Sequence, residues 1–485
     1  MNRRLVAHVL SRITFALSLF LLIPLLVALI QDGEQVSTFM ATLTWSVLIT
    51  VCLRGYGGPK RPYQRLKVRE GVALVGCAWL LVCFLGALPY FFSGLGPVEA
   101  LFESVSGFTT TGITVVPSLA DYTPSMLSWR FLSHWAGGLG VILLFITILP
   151  QINSQNGYLF NTEICTVTVE RTLPKLRAAA LYISAIYLGF TLLEIGLLLL
   201  GGVGLYDALN LAFATMSTGG FLLGQGGAVP LDSLYIESIC LVFMLIASMN
   251  FSLYYKAFRG EWQVFREEAE YKYYLVLLTL AALAMGANLW LSGTLPLGES
   301  LWQSSFHVVS IGSTTGLAAD DLPSWTSFSH YLMLILLFIG GCSGSTAGGV
   351  KVSRLMIMLK ASWAELLRSL HPRIIYSIKL GKKEVEPRLV GNITRFFFLY
   401  MVLFILLTVA ISFCGLTTME SIGIIATSLS NAGPAFSLFG STSIYSELPT
   451  LGRAILIVAM LLGRLEIFTL LLIFQPSFWR QKSTW

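Results

Sequence analysis

The sequence VEALFESVSGFTTTGITV occupies residues 98–115 and combines an acidic start, an apolar stretch and a run of threonines that ends at a glycine. Three later stretches repeat this order of residue types, over residues 206–224, 299–318 and 420–440. When one glycine of each stretch is aligned, the three residues before it are TTT, MST, STT and SNA. One polar turn is therefore repeated four times, and the aligned glycines are Gly112, Gly219, Gly316 and Gly433.

Composition places these turns in a membrane. Of the 485 residues, 55% are hydrophobic and only 12% are charged, and the mean hydropathy is +0.76. These values are typical of a polytopic membrane protein and exclude a set of soluble domains. The net charge of +6 does not indicate a nucleic-acid partner, because the basic residues are spread among short loops between apolar runs. We therefore predict an all-α polytopic membrane protein.

Residues 1–70 form a predicted N-terminal membrane domain of two helices. Apolar runs at about residues 13–30 and 37–53 can each span a bilayer, and no polar glycine turn follows either run. Three arginines precede the first run, as in a secretory signal, but the sequence QDGEQ that follows contains no small-x-small cleavage site. We interpret the first run as a retained helix.

The remaining chain predicts four repeats, each built of a helix, a short re-entrant helix with its polar turn, and a second helix. Internal repeats in a membrane protein indicate a site at the interface between the repeats. The predicted repeats comprise residues 71–178, 179–272, 273–395 and 396–485. Their predicted spans are residues 71–92 and 126–149, 179–200 and 234–254, 273–291 and 329–350, and 396–413 and 451–474.

The positions of the basic residues support this topology. If the N-terminus is cytoplasmic, the four polar turns lie toward the outer side, and 28 of the 31 Lys and Arg residues lie inside. The exceptions are Arg130, Arg453 and Arg464. So strong a bias follows the positive-inside rule and places both termini in the cytoplasm. The longest inner loop, residues 351–395, carries ten basic residues but no phosphate-binding motif.

Four glycine turns in a membrane can line a path for a cation. Irregular backbone is tolerated at membrane depth only where protein buries it or water lines it, and four turns are most economically placed around one axis. Glycine lets successive carbonyl oxygens face that axis, where they replace the water shell of a weakly hydrated alkali cation. A carboxylate also lies near the positive end of each short helix, and the negative end points toward the axis. These carboxylates are Glu99, Asp207, Glu299 and Glu420.

Other interpretations of these residues remain open. A single Ser-Gly or Thr-Gly within a span more often marks a helix contact through small residues, whereas four copies in one repeated frame favour a pore. Transition-metal binding would require His, Cys or carboxylate clusters that the sequence lacks. His134 and His307 are better explained as hydrogen-bonded packing residues than as ligands.

The turn sequences TTTG, STGG, STTG and NAGP, within this fourfold frame, resemble those of the superfamily of potassium transporters, and the N-terminal helix pair resembles its Trk-type members. The stretches SHWAGGLGVI at residues 133–142, GGCSGSTAGGVK at 340–351 and GRLE at 463–466 are similar to the corresponding helices of that family. The resemblance implies a central pore with a potassium selectivity filter. The implied filter residues are Thr110, Thr111, Gly112, Ser217, Thr218, Gly219, Thr314, Thr315, Gly316, Asn431, Ala432 and Gly433.

Two features below these turns predict a gate. Residues 340–349 are rich in Gly and Ser and should not sustain an unbroken helix; the resemblance implies an intramembrane gating loop, and a tight helix crossing is the alternative. Arg464 lies within the last apolar run, where a charge usually faces water or a partner. We interpret it as an electrostatic barrier to cations, with an ion pair to a short-helix carboxylate as the alternative. The implied gate residues are Gly340, Gly341, Gly344, Ser345, Gly348, Gly349 and Arg464.

The resemblance completes the predicted function. It implies potassium uptake across the bacterial inner membrane, a homodimer, and a cytoplasmic TrkA-like ring that binds nucleotides. Transport of sodium or of a small solute is the alternative, although a solute transporter would be expected to have inverted repeats. The chain carries no HExxH motif and no clear pair of membrane aspartates, so an intramembrane enzyme is disfavoured, and no organic cofactor or nucleic acid is expected.

Overall fold

The computed structural model describes residues 1–58, 68–116, 122–147, 173–220, 233–320, 322–371, 377–381, 383–433 and 444–479. Residues 59–67 and 148–172, which follow the predicted spans at 37–53 and 126–149, fall outside these residues. The described chain is almost entirely helical, and its one sheet is an antiparallel ribbon of β1 (Lys379–Leu380) and β2 (Lys383–Glu384). The prediction of an all-α membrane protein is confirmed.

The N-terminal domain is a helical hairpin. Its helices are α1 (Arg3–Phe20), α2 (Leu22–Gln31) and, after the short turn Gly33–Gln35, α3 (Val36–Gly57). Buried hydroxyls join the two arms, because Ser18 Oγ lies 2.8 Å from Ser46 Oγ. The hairpin contacts the rest of the molecule where Asp32 Oδ2 accepts a hydrogen bond of 2.7 Å from the backbone N–H of Ser125.

Four units of helix, short helix and helix follow, as the sequence predicts. The first two units contain α4 (Val68–Phe92), α5 (Pro97–Phe108) and α6 (Pro124–Thr147), then α7 (Leu173–Leu200), α8 (Leu205–Met216), α9 (Leu234–Ser248) and α10 (Phe251–Ala257). The third contains α11 (Val264–Glu267), α12 (Ala269–Leu291), α13 (Leu297–Gly312), the turn Leu322–Ser324, α14 (Ser327–Ile339) and α15 (Val352–Leu370). The fourth contains α16 (Pro387–Ser412), α17 (Thr418–Ser430), α18 (Ile444–Glu447), α19 (Thr450–Arg464), α20 (Glu466–Phe474) and α21 (Pro476–Trp479).

The short helices α5, α8, α13 and α17, which we call the central helices, are too short to cross a bilayer. They contain 12, 12, 16 and 13 residues, and at 1.5 Å per residue none reaches the roughly 30 Å of a hydrocarbon core. Local sequence fixes where they begin: Pro97 occupies the first turn of α5, and Thr417 and Glu420 form a capping box on α17. Each central helix carries its predicted acidic residue in the first turn.

By length and composition, six of the described helices can cross a membrane, or eight if each of two bent helix pairs is one span. The bent pairs correct two predictions. The span predicted at residues 234–254 turns by 93° between α9 and α10, and the one at 451–474 turns by 117° between α19 and α20. The first break begins a new helix, because the Asn250 side chain accepts a hydrogen bond from the N–H of Ser252. At the second, Glu466 adopts a left-handed φ of 50°.

Candidate functional site

Each central helix ends in a buried polar turn, and we call residues 109–112, 217–220, 313–316 and 430–433 the four turns. The second residue of every turn has a left-handed φ although it carries a side chain. Such a backbone is strained by about 1–2 kcal/mol, so the surrounding contacts must hold it. These residues and their φ values are Thr110 at 56°, Thr218 at 55°, Thr314 at 62° and Asn431 at 48°.

The left-handed residue at the second position of each turn shifts the alignment of the second repeat by one position. With Thr218 placed opposite Thr110, the residue opposite Gly112 is Gly220 and not Gly219. The backbone agrees, because Gly112 and Gly220 have φ values of 75° and 60°. Gly219 is not left-handed and takes the place of Thr111. The sequence STGG offers two glycines, and the backbone angles match Gly220, not Gly219, to Gly112.

The hydrogen bonds of the turns set the direction of their carbonyls. In the first turn, the N–H groups of Thr110, Thr111 and Gly112 point back to the carbonyls of Gly107 and Ser106. A trans peptide directs its C=O opposite to its N–H, so the carbonyls of residues 109–111 point away from the helix. The second and third turns repeat these bonds, to Thr215 and Ala214 and to Ile311 and Ser310.

The four turns meet at one place. The N–H of Gly433 donates to the carbonyl of Thr314 across 2.9 Å, which joins the third and fourth turns. Asn431 Nδ2 donates to Thr111 Oγ1 at 3.0 Å, which joins the fourth and first. A Cβ on Gly433 would lie 3.1 Å from the carbonyl oxygen of Gly219 and would clash with that of Thr315. The structure thus brings all twelve predicted filter residues together.

Residues 340–351, which we call the intramembrane loop, lie directly against two of these turns. The loop is not helical, as predicted, and begins where α14 ends at Ile339. The N–H of Gly348 donates to Thr314 Oγ1 at 2.8 Å, and the N–H of Gly349 donates to the carbonyl of Ser430 at 3.0 Å. The loop is therefore bonded directly to the third and fourth turns.

The break between α9 and α10 holds the other side of the intramembrane loop. The N–H of Cys342 donates to the carbonyl of Ser248, and the N–H and hydroxyl of Thr346 both donate to that of Ala247. In return, the N–H of Phe251 donates to the carbonyl of Gly344. Each irregular segment therefore satisfies the unpaired backbone groups of the other.

Arg464 lies at the break in the last span and bridges three repeats. Its guanidinium donates to the carbonyl of Thr346 in the intramembrane loop at 3.0 Å and to that of Gly137 in α6 at 3.4 Å. Its side chain is buried, with 9% exposure of the residue. These acceptors are backbone carbonyls, and within the described residues Arg464 forms no ion pair with a central-helix carboxylate. The positive charge lies beside the loop that covers the turns.

Comparison with known proteins agrees with this geometry. The TrkH family, described as cation transport proteins, matches residues 48–284 and 275–481. The chain belongs to the TrkH family. Relatives named Trk system potassium uptake protein TrkH are 32% identical in Halomonas elongata and 31% identical in Escherichia coli, over 99% of this chain and 100% of each relative. The crystal structure of the potassium transporter TrkH from Vibrio parahaemolyticus superposes with a TM-score of 0.89 at 29% identity, covering 99% of this chain and 100% of that one.

This TrkH-family chain has a small charged cavity beneath its turns. The cavity has a volume of about 30 Å³ and lies between Asn431, the intramembrane loop and Arg464, and this volume is enough for water. Lys351, Arg354 and Glu466 also line it. Arg354 Nη2 lies 2.9 Å from Glu466 Oε1. Arg464 and Glu466 lie on opposite sides of the break at Leu465 and have different partners.

Sequence reasoning missed two buried carboxylates of this TrkH-family site. Glu103 in α5 forms an ion pair with Arg130 in α6, and both residues are fully buried. Glu270 Oε1 accepts from the N–H groups of Ser343 and Ser353, one in and one just after the intramembrane loop. The sequence signal that could have indicated Glu103 is an acidic residue nine positions before the turn glycine Gly112. Within the described residues, no group of three His, Cys, Asp or Glu side chains could hold a metal ion.

Proposed function

We propose that this chain carries potassium ions across the bacterial cytoplasmic membrane, along a path bounded by the four turns. The convergence of the turns is the observation that carries this proposal. Carbonyl groups that are turned away from their own helices and gathered from four repeats can replace the hydration shell of an alkali cation. Relatives of the same length are named potassium uptake proteins, which favours potassium as the ion.

The ion ligands in this proposal are the outward carbonyls of the turns. The corrected alignment adds Gly220 to the twelve predicted residues, as the counterpart of Gly112 and Gly316. One glycine in each repeat should discriminate less sharply between potassium and sodium than a longer carbonyl array. The fourth turn differs most, because Asn431 occupies the left-handed position there and its amide is bonded to Thr111 and to the carbonyl of Met460.

The gate in this proposal consists of the intramembrane loop and Arg464. Two loop amides bond to the third and fourth turns, so the loop must move before an ion can leave in that direction. Arg464 adds a positive charge beside the same point, and at low dielectric a like charge raises the energy of a passing cation. Its hydrogen bond to Thr346 couples the charge to the loop.

The proposed assembly is a homodimer with both termini in the cytoplasm and with a TrkA-like nucleotide-binding ring docked on the inner side. The basic inner segment that follows the intramembrane loop is the proposed docking surface, although the positive-inside rule alone accounts for its charge. The four repeat boundaries stay as predicted from the sequence. Native mass spectrometry of the purified protein tests the dimer, because two chains of 53.2 kDa are expected.

Flux into proteoliposomes tests the proposed function. Purified protein should admit potassium and rubidium faster than sodium, and Gly316→Ser should reduce both the flux and the preference. A Cβ at Gly316 would lie 2.7 Å from the Cα of Gly433, so the substitution disturbs two turns at once. Gly391→Ser serves as the control, because a Cβ there meets no atom within 4 Å. Equal flux of all small cations, or uptake of an organic solute without cation flux, would contradict the proposal.

A further inference from the structure

Glu103 and His307 occupy the same position in two different repeats. The hydrogen bonds of the first and third turns align Ser106 with Ser310, and the same offset aligns Glu103 with His307. Both residues lie on the central helix, nine positions before the turn glycine, and both are fully buried. Their side chains differ in charge and shape, but each can accept a hydrogen bond.

In the first repeat, Glu103 holds the segment that leaves the turn. Its Oε1 accepts from the N–H of Val115 at 2.8 Å and from Thr114 Oγ1 at 2.7 Å, three and two residues beyond Gly112. Its other oxygen pairs with Arg130. The outgoing backbone is thereby fixed to its own central helix, just past the carbonyls of the turn.

In the third repeat, His307 makes the equivalent contact. Its Nε2 accepts from the N–H of Ala319 at 3.1 Å, again three residues beyond the turn glycine. Its Nδ1 lies 2.8 Å from the carbonyl of Gln303. Because that carbonyl can only accept, the proton is on Nδ1 and Nε2 is free to accept from Ala319.

Two smaller contacts recur in the same two repeats. Ser106 Oγ donates to the carbonyl of Ile113, and Ser310 Oγ donates to that of Leu317, each at 2.6 Å. Within the turns, hydroxyls pair across 2.8 Å, between Thr109 and Thr111 and between Ser313 and Thr315.

The second and fourth repeats lack these groups. The residues at the position of Glu103 and His307 are Leu211 and Ile424, whose side chains cannot accept a hydrogen bond. Ala214 replaces the serine in the second repeat. In the fourth, the hydroxyl of Thr427 donates to the carbonyl of Gly423 within its own helix. Among the described residues, the contact from the central helix to the outgoing backbone is therefore made in the first and third repeats by the same position.

We propose that Glu103 and His307 are positioning residues that set ion selectivity, because they hold the backbone beyond the first and third turns in the same way. This inference rests on the proposed function. By fixing the backbone beyond the first and third turns, the two side chains hold the carbonyls of those turns at a set spacing. Loss of either contact lets that spacing relax, and a smaller cation then competes better.

Variants of His307 test the inference, because both hydrogen bonds of this side chain are to backbone groups and its replacement breaks no ion pair. Gln can place an acceptor near the position of Nε2, whereas Asn reaches only the position of Nδ1. In proteoliposomes, His307→Gln should keep the ratio of potassium to sodium flux within about twofold of the parent protein. His307→Asn and His307→Leu should lower that ratio by about fivefold, the effect expected for one hydrogen bond. Leu211→Met and Ile424→Leu, at the equivalent positions, should leave it unchanged.

A second measurement removes only the donor. An ester in place of the peptide N–H at position 319, made by incorporating lactic acid for Ala319, deletes the hydrogen bond and leaves the buried ring in place. It should lower the flux ratio as His307→Asn does, even if His307→Leu fails to fold. An unchanged ratio in the ester variant and in His307→Asn, with potassium flux intact, would contradict the inference alone. Absence of potassium flux in the unmodified protein would contradict the proposed function and the inference with it.

Discussion

The backbone N–H of Gly349 donates a hydrogen bond of 3.0 Å to the carbonyl oxygen of Ser430. The acceptor is the last residue of a central helix, and the donor belongs to the intramembrane loop. The neighbouring Gly348 bonds to Thr314 in the next turn. The loop is therefore bonded to the turns themselves and not only placed near them, so a change in the loop should be felt directly at the proposed ion site.

Gly348→Ala should increase basal cation flux. A Cβ at this position would clash with the carbonyl of Ser430, and overpacking of this kind costs about 1–3 kcal/mol unless the loop moves away. Gly391→Ala in α16 is the control, because its Cβ would meet nothing within 4 Å. Rubidium uptake into proteoliposomes checks both variants. A folded Gly348→Ala protein with unaltered or lower uptake would contradict the gating role of the loop.

Arg464→Ala should raise basal cation flux by about tenfold, as expected when a like charge is removed from beside a path of low dielectric. Arg464→Lys should give an intermediate flux, because an ammonium keeps the charge but cannot reproduce the fork that joins Thr346 to Gly137. Cation uptake by each variant, measured in proteoliposomes that carry the same density of protein, tests this effect. Arg395→Ala, at an exposed position, should behave as the parent, and a low flux in folded Arg464→Ala would count against the barrier.

Alanine substitutions at the two glycines of the second turn should differ in whether a second substitution restores thermal stability. A Cβ on Gly219 would clash with the His134 ring, whereas Gly220 has a left-handed backbone that side chains disfavour. His134→Ala should therefore restore thermal stability to Gly219→Ala but not to Gly220→Ala. The melting temperatures of the purified double variants show whether His134→Ala restores stability to each glycine variant. Equal rescue of both glycines would show that the corrected alignment is wrong.

Glu103→Leu should destabilise the protein by about 3–5 kcal/mol, because it removes a buried carboxylate from a buried arginine. Glu103→Leu combined with Arg130→Leu should recover part of the loss, since the buried arginine charge is then removed together with the carboxylate. Thermal unfolding in detergent, followed by tryptophan fluorescence, compares the three proteins. A double variant less stable than Glu103→Leu would mean that Arg130 contributes mainly through other contacts.

Much of this architecture could be predicted because it depends on patterns that a sequence displays openly. Apolar runs gave the outer helices, and an acidic residue before an apolar stretch gave each central helix. The non-helical segment at residues 340–349 was also predictable, since five glycines in ten residues cannot sustain a helix.

Other features depend on contacts that local sequence does not encode. The breaks near Asn250 and Leu465 occur in runs that are apolar enough to be predicted as single membrane spans. The backbone groups that lose their helical partners at these breaks form hydrogen bonds with residues distant in the sequence. The choice between Gly219 and Gly220 required the backbone angles of all four turns. The pairing of Glu103 with Arg130 joins two different helices through residues 27 positions apart, so no helical spacing rule could reveal it.

The mutual bonding of the intramembrane loop and the α9–α10 break has a consequence for hydration. If the loop withdraws, the carbonyls of Ala247 and Ser248 lose the donors Thr346 and Cys342. At membrane depth, lipid offers no replacement, and water is the available donor. In the proposed gate, displacement of the loop and entry of water at these two carbonyls would therefore be one event.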